Sequence, residues 1–306
     1  NAEVDIEDFV PVSLGLSSWE GKLYGLPHIS SSRAFLYNME VMEDAGVTDL
    51  NEIDAAGEWN WDTLLETLQK ITKRDGNSVE RLGMNDPGLR FRSSMSWGRQ
   101  NGGEALKQPT LDEFTMNEPA YAEAVQWIAE LVHKHKVAAG AGDIVVNGRS
   151  DLNSGRLGIL ETWTNFSSHK GFPIDVVYPA VGPVNRTAIV HTNSLGVAAK
   201  TKHPAEGFDY IAMQTSKTGD RDQAEYGMGI CLRKSNMQNM IDVTKAEFGV
   251  PHAEVMEEVI ATGRIFDVNE YHMETLDTVN PVMEEIREGA DAKQKLDELK
   301  PIVDKI

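Results

Sequence analysis

The sequence predicts an α/β protein whose two lobes share the chain through crossings. Three observations carry this. Short β-rich runs alternate with amphipathic helical stretches to about residue 216, and the chain beyond is almost wholly helical in its periodicity. At 306 residues the chain is long enough for two domains of about 150 residues each. No internal repeat, low-complexity tract or Pro/Gly/Ser-rich linker separates two halves, so a single joint between lobes is not expected.

The elements follow in order. "WEGKLYGLP", residues 19 to 27, reads as a glycine turn, a short strand and a proline stop. "RAFLYNMEVMEDAGV" alternates and then shifts to helical spacing, a strand feeding a short helix that Gly46 ends. In "NWDTLLETLQKITKRDG", Trp61, Leu64, Leu65, Leu68 and Ile71 share one face, with Asn60 as N-cap, basic residues in the last turn and Gly76 beyond it. The stretch 117–137 repeats the pattern through Tyr121, Val125, Ile128 and Leu131 or Val132, with Pro119 near the first turn and Trp127 centred on the apolar face as a core residue. "RLGILE", "DVVYPAV" and "SLGVAAK" read as strands bounded by Gly, Pro or Asn, and "HPAEGFDYIAMQTS" opens a helix at Pro204.

Composition narrows function. Lys plus Arg is 29 and Asp plus Glu is 48, a formal net charge of -19 that repels phosphate backbones and anionic headgroups. Nucleic acid is therefore not an expected partner, and no apolar run reaches the roughly 20 residues of a membrane helix. The one cysteine, Cys231, forms no intramolecular disulfide, and no Cys/His cluster has zinc spacing, so neither metal nor cofactor is expected. His133 and His135 are i and i+2 at a helix end and do not face each other. "DIVVNGRSDLN" lacks the ligand spacing of a calcium loop and reads as a polar helix entry. No nucleophile elbow or Cys–His pair is present, and the acidic residues fall mostly on polar helix faces. Glu161, at the end of "LGILE", is the one carboxylate placed for chemistry or contact.

"GKLYGLP", "FLYN" with "EDAGV", "NWDTLLETLQKITK", "NGGEAL", "SGRLGILETW", "NSLGVAAKTKHPAEGFDYI" and "REGADAKQKLDEL" occur in one order across residues 19–306. This ordered set resembles the extracellular solute-binding proteins of ABC importers, in the sugar-binding branch that includes maltose-binding protein. The resemblance implies a type II periplasmic-binding-protein-like fold with a ligand cleft between the lobes, lobe I taking 1–33 and 193–265 and lobe II taking 34–192 and 266–306. In that family the "GKLYGLP" strand follows most of the first lobe, so about 100 residues of that lobe are expected to be absent here, at 30 or more residues per βαβ unit, leaving apolar surface exposed. The function implied is capture of a sugar or oligosaccharide by lobe closure and delivery to membrane permease subunits, by a monomer outside the cytoplasm whose signal segment is not in this sequence. No catalysis is implied.

Carried over position by position, the resemblance puts Ser31, Ser32 and Arg33 on the first crossing, Phe91 or Arg92 and Trp97 before "NGG", and His191 and Asn193 on the second crossing. Gly229 lies in the loop before the late helices, and Tyr271 and His272 near the third crossing. Cys231-Leu232 stands where relatives often carry proline. Trp163 closes "LGILETW" as the expected main contact, because a flat indole covers the C–H face of a pyranose while rim groups meet its hydroxyls. Two alternatives remain: an anionic solute such as a sugar phosphate or acidic sugar, favoured by Arg33, Arg90 and Arg92, and a glycoside hydrolase using Glu161.

Overall fold

The computed structural model describes residues 4–76, 78–140, 143 and 147–306. The chain opens with α1 (Pro11–Gly15), the hairpin β1 (Ser18–Trp19) and β2 (Lys22–Leu23), the long strand β3 (Leu26–Asn38), and helices α2 (Met39–Asp44), α3 (Leu50–Ala55) and α4 (Trp61–Ile71). Next come β4 (Lys73–Asp75), β5 (Ser78–Met84), α5 (Phe91–Gln100), α6 (Pro119–His133), α7 (Gly148–Asn153), β6 (Leu157–Trp163), β7 (Ile174–Val177) and β8 (Ile189–Leu195). The remainder is α8 (Pro204–Gln214), α9 (Lys217–Glu225), α10 (Met237–Phe248), α11 (Val255–Thr262), β9 (Arg264–Ile265), α12 (His272–Arg287) and α13 (Ala292–Val303).

Two compact units result: the first comprises residues through Ala34, Thr162–Tyr178 and Ala188–Ile265, the second Phe35–Glu161, Pro179–Thr187 and Phe266–Ile306. The ranges expected from sequence differ at 34, 162–178 and 188–192, which the resemblance assigns to lobe II. Their hydrogen bonds explain the change. Thr164 N–H donates to Ser32 O and Phe166 N–H to Gly227 O, and the Asp175 carboxylate accepts from His252 N–H, all within the first unit.

In the first unit, β3 pairs antiparallel with β8, placing Ser31 opposite His191 and Ile29 opposite Asn193, and β8 pairs parallel with β9. In the second, β4 pairs antiparallel with β5 and β5 parallel with β6. In "WEGKLYGLP" the expected glycine turn and short strand form, but Pro27 is no stop, being the second residue of β3. Glu20 (φ 49°) and Gly21 (φ 74°) make the two-residue turn of the β1–β2 hairpin, which requires positive φ at both central residues, and β3 begins only at Leu26. The strand expected in "SLGVAAK" lies earlier, ending at Leu195 opposite Leu26, because that is where pairing with β3 runs out.

Helix α4 forms as expected. Asn60 accepts from Asp62 N–H and Thr63 N–H while Thr63 Oγ1 accepts from Asn60 N–H, a reciprocal cap, and Trp61, Leu64, Leu68 and Ile71 are buried. In α6, Tyr121, Val125, Ile128 and Leu131 are buried, but Trp127 is only half-buried and is not a core residue. Asn147 caps α7 by accepting from Ser150 N–H, the polar helix entry expected there; residues 144–146 of that motif lie outside the described residues. The Cys231-Leu232 loop is held without proline. The buried Asp220 carboxylate accepts from Leu232 N–H at 2.8 Å and Arg233 N–H at 3.3 Å. The first unit exposes Leu23, Tyr24, Phe208, Tyr210 and Met213, and Leu23, Tyr24, Val197 and Phe208 line an open groove of about 230 Å³ on it.

Candidate functional site

The candidate residues fall into two sets, one in each unit. In the first unit the indole of Trp163, at the end of β6, is half-buried with a guanidinium and an imidazole close to it. Arg33 Cζ lies 5.6 Å from its ring centroid, and the His191 ring is 5.5 Å away at 50°. His191 Nε2 is 2.9 Å from Asn193 Oδ1, since i and i+2 residues of a strand share a face. Ser30 Oγ donates to His191 O at 2.9 Å and fixes this part of the β3–β8 ladder. Arg33 is buried while Asn193 is exposed, so the cluster grades from enclosed to solvent-facing.

Its neighbours are positioned by backbone. Ser31 is half-buried beside Arg33, whereas Ser32 is fully buried beneath Thr164, whose Oγ1 accepts from Ser32 N–H at 3.2 Å. Gly229 has φ 152°, and a Cβ there would stand 2.4 Å from Ser30 O; Ile230 N–H donates to that same oxygen at 2.9 Å. Glycine is required for the loop to approach β3 so closely.

In the second unit, Arg92 on α5 donates from Nε to His272 Nε2 at 2.7 Å, and its guanidinium carbon lies 4.9 Å from the Phe266 ring centroid. The Phe266 and His272 rings stack at 5.7 Å, and Phe91 meets His272 at 6.0 Å. Burial, and then the Arg92 charge, lower the His272 pKa to about 4. The neutral imidazole is therefore the hydrogen-bond acceptor here. Burial also lowers the Arg92 pKa. Tyr271 is exposed at the start of α12.

Besides Ser32, three expected contacts are interior side chains in this arrangement. Trp97 is 2 % exposed, donates its indole N–H to Pro87 O and packs on Phe35, Trp61 and Trp127. Its place in α5 gave it a helical spacing indistinguishable from that of a contact residue. Phe91 is wholly buried, with its N–H donated to Asn280 Oδ1. Glu161 is buried in the second unit, where its backbone exchanges hydrogen bonds with the Asn85 side chain. Sequence reasoning missed Phe266 and Thr164, which hold Arg92 and Ser32 in place; neither lies in a periodic run that could have marked it.

The family profile described as bacterial extracellular solute-binding protein matches residues 2–247. The chain belongs to that family. This solute-binding protein is similar to two arabinooligosaccharide-binding proteins, at 30% identity over 46% of the chain and 30% of the Bacillus subtilis protein, and at 23% over 45% of the chain and 28% of the Halalkalibacterium halodurans protein. The matched stretches thus span less than a third of the length of those curated relatives. Among solved structures, an ABC substrate-binding protein from Listeria monocytogenes in complex with cycloalternan superposes with a TM-score of 0.85 at 18% identity, covering 98% of this chain and 76% of that one. Its fold is accordingly the mixed α/β fold of type II periplasmic binding proteins. These relatives are named as binding proteins. Among the described residues, no helix of the solute-binding protein is long and apolar enough to cross a membrane.

Proposed function

We propose that this solute-binding protein captures a neutral sugar or oligosaccharide outside the cytoplasmic membrane, as a monomer and without catalysis, and delivers it to the permease of an ABC importer. The observation that carries this is the half-buried indole of Trp163 flanked by Arg33 and His191 and leading out to exposed Asn193. An indole face removes the apolar face of a sugar ring from water, and the guanidinium, imidazole and amide around it meet hydroxyls as donors and acceptors. We assign to the same platform Ser31, paired with His191 across β3 and β8, and Gly229, whose loop lies against Ser30. The names of the two curated relatives and the cycloalternan of the Listeria structure point to the same ligand class.

A sugar phosphate is the weaker reading, because the arginines that suggested it are already engaged. Arg90 pairs with Glu284 at 3.1 Å, Arg92 bonds His272, and Arg33 lies over Trp163. A thermal-shift panel of neutral arabino- and malto-oligosaccharides against sugar phosphates separates the two. Stabilisation by a neutral saccharide is expected; a sugar phosphate as the sole hit overturns the proposal, as does glycoside turnover that Glu161→Gln abolishes.

A further inference from the structure

A cavity lies wholly within the second unit, and none of its lining residues was expected as a ligand contact. Asn60, Trp61, Asp62, Asn101, Glu123, Trp127, Val181, Gly182 and Pro183 line this cavity of about 430 Å³, within the range that holds small molecules. We propose that this cavity binds a small organic cation, of the quaternary or primary ammonium class.

The lining supports that chemistry in three ways. Trp61 and Trp127 stack on each other at 4.5 Å and 25°, and Trp127 is half-buried. A large aromatic left partly in water beside a cavity offers a face or edge to a ligand, and indole is the best of the aromatic cation acceptors. The charged groups of the lining are both carboxylates, Asp62 beginning α4 beside Trp61 and Glu123 one turn before Trp127 on α6, so both helices present an indole and an acid together. Among the described residues, no lysine or arginine lines the cavity to compete for those acids. Finally, two side-chain donors of the lining are engaged within the protein. Trp61 Nε1 donates to Gln100 Oε1 at 2.8 Å and Asn101 Nδ2 to Ala120 O at 2.7 Å. A sugar needs donors as well as acceptors for its hydroxyls, whereas a cation needs only acceptors and π faces. The protein's formal charge of -19 adds a favourable long-range field for cations and an unfavourable one for anions.

The probes are tetramethylammonium and choline chlorides, titrated calorimetrically into the full chain at low ionic strength, with sodium chloride at equal concentration as blank. Saturable binding in the millimolar range is expected, weakened at least about tenfold by Trp127→Ala and about fivefold by the double variant Asp62→Asn/Glu123→Gln, and reduced by added salt. The double variant alters two exposed side chains, so it remains folded should Trp127→Ala not be. Trp163→Ala should leave this binding unchanged, which separates the site from the sugar platform. Absence of binding, cation binding that survives the double variant undiminished, or a Trp127-dependent response to maltose with none to either cation would each overturn the proposal.

Discussion

Arg33 lies over the indole of Trp163, its guanidinium carbon 5.6 Å from the ring centroid, on a strand whose partner places His191 against the same ring. The cation holds the indole in one orientation, so a ligand meets a preorganised surface and loses little side-chain entropy on binding. Arg33→Ala should therefore lower sugar affinity by about 0.5 to 2 kcal/mol even with no direct contact. Isothermal titration of the variant beside the wild type checks it; unchanged affinity removes Arg33 from the account.

His272 makes stability dependent on pH. Its ordinary pKa is 6.5 and its folded value about 4, so between these values the unfolded chain binds a proton that the folded chain does not. Above about pH 6.5 this residue contributes no pH dependence; as pH falls from 6.5 toward 4 it should progressively favour unfolding, with no further loss below. Protonation would also remove the acceptor for Arg92 Nε. Urea midpoints of wild type and His272→Gln across this window should converge as pH falls; a constant difference would contradict the assignment.

Gly229→Ala should destabilise the first unit by about 1 to 3 kcal/mol, because a Cβ at that φ of 152° meets Ser30 O at 2.4 Å and the chain must retreat from β3. The same retreat would loosen the Ile230–Ser30 hydrogen bond next to Ser31. Denaturant unfolding and sugar affinity should both suffer.

Asn60→Ala should cost about 1 kcal/mol, the worth of an N-cap, while Asn60→Ser keeps most of it. Chemical denaturation of the two variants measures this directly, and equal losses would mean the α4 cap is not what stabilises.

Sequence made much of this legible where a physical pattern was repeated. The α4 cap and its stripe of Trp61, Leu64, Leu68 and Ile71 follow from spacing alone, and so do the strand-to-helix step at Asn38 and the Pro204 helix start. What failed was anything set by tertiary neighbours. Trp97 is expected at the ligand and Trp127 in the core, yet the first is buried and the second borders a cavity, because neither a motif nor a helical period tells what covers a side chain. Strand ends behaved the same way: Leu195 ends β8 because its partner strand begins at Leu26, a fact held some 170 residues away in the chain. Within the candidate site, Trp163, Arg33, His191 and Asn193 come together as a cluster, while Phe266, which backs Arg92, carried no local signal.

The most direct measurement is titration of Trp163→Ala with the neutral oligosaccharide that best stabilises the wild type. Loss of about 2 to 4 kcal/mol of affinity is expected, roughly thirty- to eight-hundred-fold in Kd, with a melting temperature close to wild type because the side chain is only half-buried. Trp97→Ala, cut from the core, should instead lose about 3 to 5 kcal/mol of stability. Unchanged sugar affinity in Trp163→Ala, accompanied by a fall in melting temperature as large as that of Trp97→Ala, would make Trp163 a structural residue and contradict the sugar platform.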